Sequence, residues 1–158
     1  MKLLIVVAIV SSISSATNNP ECVCIKPHRS PEEVKSDRRQ TFDNSAAVFL
    51  GKVVSVDAYV VRFRLEKRWK GNSEAEAVLS RNPAGIFPDG SPISGECDYP
   101  FRLGEEYLVY AYLKDQKLKN DDCSTLKAKD AADEEKGLDE IKPHAVVSGI
   151  QLEDYFAF

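Results

Sequence analysis

The chain has 158 residues, a length that suits one domain with its own hydrophobic core and is too short for two. Its 21 basic and 25 acidic residues give a net charge of −4, which excludes the basic footprint typical of a nucleic-acid-binding protein. Four cysteines in a chain of this size make the redox compartment important for the fold.

The N-terminus has the three-part layout of a secretory signal peptide. Lys2 is followed by the apolar run LLIVVAIV and then by SSISSA, whose small residues favour cleavage after Ala16. The apolar run is too short to cross a bilayer, which takes about twenty residues. We therefore expect residues 1–16 to be removed and the mature chain to be secreted, or periplasmic in a bacterium, without a membrane span. Residues 17–21, TNNPE, form a short leader.

The cysteines predict a disulfide framework. In an oxidising compartment, two disulfides are favoured over a thiolate metal site. Cys22 and Cys24 do not pair with each other easily, since alternate residues of an extended chain lie about 7 Å apart. Each is therefore expected to bridge to Cys97 or Cys123, and the spacing does not choose between the two pairings.

A short helix and two strands follow the first cysteines. Ser30 as N-cap, Pro31 at the first helical position and Glu33 as capping-box partner predict a helix over about 31–40. Residues 46–56 are rich in β-branched side chains, and Gly51 inside them indicates a bulge or bend.

The clearest periodic signal lies in the next strand. Four apolar residues alternate with charged ones, which indicates one buried and one wet face, with Lys67 as the exception. The apolar residues are Val61, Phe63, Leu65 and Trp69, and the wet face carries Arg62, Arg64 and Arg68.

Further strands are predicted at 75–81, 105–115 and 117–120. The second of these is apolar on both faces and is expected to be covered on both sides. The Pro- and Gly-rich segment 82–96 lies between the first two of these strands. Loops of this length in a small domain are usually functional or disordered.

The C-terminal part of the chain predicts a second helix, over about 126–141, which Gly137 weakens. Residues 143–158 form an apolar tail, part of which is expected to dock as an added strand. Together these elements predict a mainly β domain over residues 22–142. Its expected fold is a five-stranded OB-like Greek-key barrel with a short helix near each end and two disulfides.

Three stretches resemble the tissue inhibitor of metalloproteinases family, within the wider netrin-like class. They are CVC at 22–24, AAVFLGKVVSV followed by VRFRLEKRWKG, and CDYPFRLGEEYLVYAYLKDQKLKNDDC. The resemblance covers roughly residues 22–141. It implies an OB-like barrel and the disulfides Cys22–Cys97 and Cys24–Cys123.

The resemblance also implies an inhibitory chemistry. In such inhibitors the first cysteine is the mature N-terminus, and its α-amino group and carbonyl oxygen fill the open positions of a target protease's catalytic zinc. Carried over, Cys22 faces the zinc and Val23 lies at the mouth of the specificity pocket. The other protease-binding residues implied are Cys24, Cys97, Asp98 and Tyr99. The implied partner is a zinc metalloproteinase, and no intrinsic metal or cofactor is expected.

The sequence departs from the family pattern at the N-terminus. Cleavage after Ala16 leaves TNNPE ahead of Cys22, which turns the chelating amine into an amide, and cleavage directly before Cys22 is disfavoured by Glu21. The wedge that binds zinc therefore requires a second protease to trim these residues. The family's third N-terminal disulfide and its cysteine-rich C-terminal subdomain have no counterpart here.

Other features carry less specific interpretations. His28 and His144 stand alone, without HExxH or GxSxG, so an enzyme is not indicated. Trp69, Tyr107, Tyr110 and Tyr112 are interpreted as core residues rather than an OB-type stacking face. The basic stripe of Arg62, Arg64 and Arg68 fits either an anionic glycan or a solvated strand face. The alternative to an inhibitor is an exported netrin-like or OB module, binding or structural, that holds another ligand through its loops or residues 82–96.

Overall fold

The computed structural model describes Cys24 and residues 29–93, 95, 98–120 and 122–147. Residues 1–16, the leader 17–21 and residues 148–158 lie outside this range. The described helices are α1 (Pro31–Asn44) and α2 (Ala132–Ile141). The described strands are β1 (Ala47–Val56), β2 (Val60–Lys70), β3 (Glu76–Ser80), β4 (Gly85–Ile86), β5 (Pro92–Ile93), β6 (Glu106–Lys114), β7 (Lys117–Lys119), β8 (Thr125–Lys127) and β9 (Ala145–Val146).

Five strands close into a barrel in the order β1-β2-β3-β7-β6, with β6 pairing back to β1. All pairs in the barrel are antiparallel except β3 with β7, which is parallel. This arrangement confirms the predicted five-stranded, OB-like barrel with two short helices. β8 continues the ladder along β6, and the separate strands β4 and β5 form a small hairpin.

Two of the three register shifts in the β1–β2 pair direct side chains to different layers. The register shifts between Leu50 and Gly51, as the glycine predicts, and again between Val48 and Phe49. A Cβ at Gly51 would lie 3.0 Å from the carbonyl oxygen of Arg64, so glycine permits the close approach of the two strands.

β2 consequently contributes to two cores. Val61, Phe63 and Leu65 lie inside the barrel, whereas Trp69 packs in the layer beneath the helices. Lys67, the exception in the apolar series, directs its Nζ to Glu135 on α2 at 2.5 Å. On the wet face, Arg62 and Arg64 are exposed and Arg68 is half-buried.

The part of β6 from Tyr107 to Ala111 is covered on both faces, as predicted, whereas residues 112–114 at its end are exposed. Tyr107 and Val109 lie in the barrel interior, and Leu108 and Tyr110 lie beneath the helices. Trp69, Tyr107 and Tyr110 are thus core residues, whereas the side chain of Tyr112 is 37% exposed.

The first helix is capped as predicted and is longer than predicted. The Ser30 side chain accepts from the N–H of Glu33, and the Glu33 carboxylate accepts from the N–H of Ser30 at 2.7 Å. The helix continues to Asn44, so that Phe42 joins the layer beneath the helices.

The prediction of one helix over 126–141 is wrong for its first six residues. Residues 125–127 form β8, residues 128–130 form a 3-10 turn, and α2 begins only at Ala132. The ladder positions along β6 opposite Tyr107 to Val109 provide backbone partners that outweigh the local helix propensity. Within the predicted tail, residues 145–146 pair with β2 as β9. The described residues contain no helix that is both long and apolar enough to span a membrane.

Candidate functional site

The candidate site is the region around a disulfide. Cys24 is bonded to Cys123, with 5.3 Å between their Cα atoms and a sequence separation of 99. This is one of the two bridges that the resemblance implies. Cys22, Val23 and Cys97 lie outside the described residues, so the Cys22–Cys97 bridge and the zinc-facing role of Cys22 stay predictions.

Cys123 lies in a short turn between two strands that both pair with β6. β7 and β8 both pair with β6, and a 3-10 turn over Asp122–Ser124 lies between them. The Asn120 side-chain amide donates to the hydroxyl of Thr125 at 3.0 Å across this turn. The bridge therefore fastens Cys24 to a turn that is held by the barrel on both sides.

A side-chain hydrogen bond joins Asn82, just after β3, to Lys119 at the end of β7. Lys119 is 8% exposed, and its Nζ donates to Oδ1 of Asn82 at 2.9 Å. Gly95 packs on the backbone carbonyl of Asn82 so closely that a Cβ would collide with it. Lys119 thus holds Asn82 against the barrel, and Gly95 lies directly on Asn82.

Asp98, a predicted protease-binding residue, is engaged by Arg81. Nε and Nη2 of Arg81 donate to one carboxylate oxygen of Asp98 at 3.0 and 2.6 Å, and both side chains are 9% exposed. Nη1 of Arg81 also donates to the carbonyl of Asp57, and its backbone N–H donates to that of Tyr59. The structure therefore places the Asp98 carboxylate in an internal contact.

Tyr99, the other described candidate, is turned toward the core. Its ring lies 4.9 Å from that of Phe101 and 5.5 Å from that of Tyr107, measured between centroids. Tyr99 is half-buried against the barrel interior. Only the backbone of Tyr99 and the accessible part of its ring are therefore available to a binding partner.

The hairpin between β1 and β2 is the part of this region that the sequence did not predict. Asp57 caps the turn, because its Oδ1 accepts from the N–H groups of Tyr59 and Val60, each at 2.8 Å. These two bonds hold the pKa of Asp57 below its ordinary value. Tyr59 is 60% exposed at the tip. The Asp-Ala-Tyr sequence could have indicated a turn, but no local pattern links it to Arg81.

The segment 82–96 contains the β4–β5 hairpin. Asp89 accepts from both the N–H and the hydroxyl of Ser91 at its turn, and the N–H of Phe87 donates to the carbonyl of Ser91 at 2.8 Å. Three apolar side chains on this hairpin are exposed, namely Ile86, Phe87 and Ile93.

The buried Tyr107, on which Tyr99 packs, bonds a carboxylate at the start of β6. The hydroxyl of Tyr107 donates to Oε2 of Glu105 at 2.7 Å, and that oxygen also accepts from Nζ of Lys127 at 2.8 Å. Burial, reinforced by the Glu105 carboxylate, raises the pKa of Tyr107 to about 12. Lys127, followed by Tyr107, lowers the pKa of Glu105.

We call the region built around Cys24–Cys123, Asn82, Arg81–Asp98 and the β1–β2 turn the disulfide edge. Its described residues include no group of three or more His, Cys, Asp or Glu side chains that could hold a metal. Fold and site together define a class: an OB-like barrel whose N-terminal segment is tied covalently to the barrel. No protein-family model matches the sequence, and no curated protein matches it. Membership of the metalloproteinase-inhibitor family therefore stays a prediction.

Proposed function

We propose that the protein is a secreted, non-enzymatic inhibitor of a zinc endopeptidase, resembling tissue inhibitors of metalloproteinases, and that it acts through the disulfide edge. The observation that carries the proposal is the Cys24–Cys123 bridge. It fixes Cys24, two residues after the predicted zinc-facing Cys22, onto the barrel, so that little ordering entropy is lost on binding.

The proposed mechanism uses the start of the mature chain. Cys22 presents its free α-amino group and carbonyl oxygen to the target's zinc, and both atoms are donors suited to that metal. Val23 contacts the mouth of the specificity pocket. Backbone groups of 98–99 line the adjacent surface, and Arg81 fixes that segment by holding Asp98.

The first experiment is N-terminal sequencing of the secreted protein. A chain that starts at Cys22 is expected for an inhibitor, because only then is the chelating amine free. A chain that starts at Thr17 contradicts the chelating mechanism.

The second experiment is an inhibition assay against a panel of zinc endopeptidases with two matched proteins. One starts at Cys22, and the other carries a single alanine before Cys22, which converts the amine into an amide and leaves the fold unchanged. Inhibition by the first and its loss in the second are expected. Absence of inhibition by the chain that starts at Cys22 would overturn the proposal.

A second candidate is an exported binding module that uses the segment 82–96. The observation that favours it is the exposure of Ile86 and Phe87, at 43% and 51%, on the β4–β5 hairpin. Phe87→Ser separates the candidates, because an inhibitor acting through Cys22 is expected to retain its activity, whereas the binding module loses its anchor.

A further inference from the structure

A cavity of about 390 Å³ lies beside the turns that join β2 to β3 and β6 to β7. Its apolar wall is continuous with the barrel interior and consists of Ala47, Phe49, Leu65, Ala77 and Leu118. The volume is at the lower end of the range for small-molecule sites, which are mostly apolar with a few polar groups. None of its described lining residues belongs to the disulfide edge. We call it the β3–β7 cavity.

The guanidinium of Arg68 lies at this cavity. The alternation in β2 predicted Arg68 on the wet face, but it is in register with Phe49, and opposite residues of an antiparallel pair share a face. The cause is the register shift after Val48, which also places Trp69 in the layer beneath the helices. Arg68 is half-buried, and its side chain has no hydrogen bond or ion pair with any residue that the structure describes.

The other charged residues that line the β3–β7 cavity do not neutralise this guanidinium. Nζ of Lys70 donates to two carbonyl oxygens in the last turn of α1, at 2.9 and 2.8 Å. Glu76 is in register with Arg64 across the β2–β3 ladder. Lys117 and Glu74 are exposed and have opposite charges. The guanidinium therefore leaves the cavity with one positive charge in excess.

We propose that the β3–β7 cavity binds a small molecule with an apolar body and one carboxylate. The apolar wall contacts the body, and Arg68 binds the carboxylate. A guanidinium presents paired N–H donors that match a carboxylate, and these charge-assisted hydrogen bonds are stronger than neutral ones. One unpaired cation suits a monoanion better than a phosphate ester, which carries nearly two charges at neutral pH. The site is separate from the disulfide edge and does not depend on protease inhibition.

A methyl NMR titration of the full chain with sodium octanoate tests the proposal, because it gives both the affinity and the place of binding. Octanoate is expected to bind about tenfold more tightly than 1-octanol, which has the same chain length but no carboxylate. Hexanoate is expected to bind about fifteenfold more weakly than octanoate, since each of the two missing methylenes contributes about fourfold. The methyl signals of Leu65 and Leu118 are expected to shift, and those of Leu108, beneath the helices, to stay constant.

Arg68→Gln is expected to abolish the preference for octanoate over octanol while octanol still binds, which shows that the variant remains folded. Arg62→Gln is the matched control, because Arg62 is exposed on the same strand and does not line the cavity. This control is expected to bind both probes like the wild type.

The proposal is overturned if the full chain binds neither probe or binds the two equally. It is also overturned if Arg68→Gln keeps the preference, or if octanoate shifts the methyl signals of Ile86 on the β4–β5 hairpin instead of those of Leu65 and Leu118. If octanoate binds only after residues 148–158 are deleted, the C-terminal tail covers the cavity, and this result overturns the proposal as well.

Discussion

Arg81 and Asp98 form a buried ion pair that joins three parts of the chain. Two guanidinium nitrogens bond one oxygen of the carboxylate, and the third donates to the carbonyl of Asp57. The end of β3, the β1–β2 hairpin and the segment before β6 are thus held in one arrangement. Within the disulfide edge, Arg81 therefore holds the β1–β2 turn and the segment at Asp98 together.

Removal of one partner leaves the other charge buried without its counter-ion. Asp98→Ala is therefore expected to lower the free energy of unfolding by about 3–5 kcal/mol, measured by urea denaturation. Arg39→Ala is the matched control, because its pair with Asp43 is exposed on α1, and a loss of about 0.5 kcal/mol is expected. Losses of similar size in the two variants would contradict this role.

The Cys24–Cys123 bridge constrains the unfolded chain, because it joins residues that are 99 apart in sequence. The double variant Cys24→Ser/Cys123→Ser is expected to lose roughly 4 kcal/mol of stability, on the chain-entropy model of disulfides. Thermal unfolding with and without a reductant measures this effect. An unfolding midpoint equal to that of the oxidised wild type would show that the bridge does not stabilise the barrel.

Gly137 makes room for a side chain from the other helix. It lies inside α2, where alanine is ordinarily better by about 1 kcal/mol, but a Cβ there would collide with the guanidinium of Arg38. That guanidinium lies 3.0 Å from the carboxylate of Glu134. Gly137→Ala is therefore expected to be neutral or destabilising in the wild type.

A double-mutant cycle isolates this contact. In an Arg38→Ala background, Gly137→Ala is expected to stabilise the protein by up to about 1 kcal/mol, since the steric conflict is gone. Urea denaturation of the four proteins gives the coupling energy. Additive effects would mean that Arg38 does not occupy the space above Gly137.

Strand periodicity predicted the barrel well because its signals are local. The alternation in β2 and the two apolar faces of β6 follow from burial of each strand. The position of Trp69 could not be predicted from the alternation, because bulges in the pairing with β1 move it from the barrel interior to the layer under the helices. The start of α2 was misplaced for a similar reason: pairing with β6 decides residues 125–127, and their own sequence does not show it.

Residues of the candidate site were predicted only where the cysteine pattern or the resemblance to metalloproteinase inhibitors identified them. Cys24 and Cys123 were identified in this way. Arg81 was not, because its partners lie 17 and 24 residues away and no short motif relates them. Asp98 stays a predicted protease-binding residue of the segment around Cys97, and the contact of its carboxylate with Arg81 is one that only the folded chain reveals.

The Asp57 cap makes the β1–β2 turn sensitive to acid. Two backbone N–H groups bond its carboxylate and hold its pKa below the ordinary value of 3.8. A carboxyl whose pKa is lower in the folded state stabilises the protein above that ordinary value, and this contribution is lost as the pH falls through the folded pKa. The wild type is therefore expected to lose thermal stability as the pH falls below about 4, in part through Asp57.

Asp57→Asn tests this dependence, because the amide oxygen can still accept both bonds and the side chain does not titrate. Melting temperatures measured in steps as the pH is lowered below about 4 are expected to fall less steeply for the variant than for the wild type. The difference is partial, because Glu33, Asp89, Glu105 and Asp139 also have lowered pKa values and titrate in both proteins. Parallel curves, separated by a constant amount, would show that the carboxylate charge at the turn does not contribute to folding.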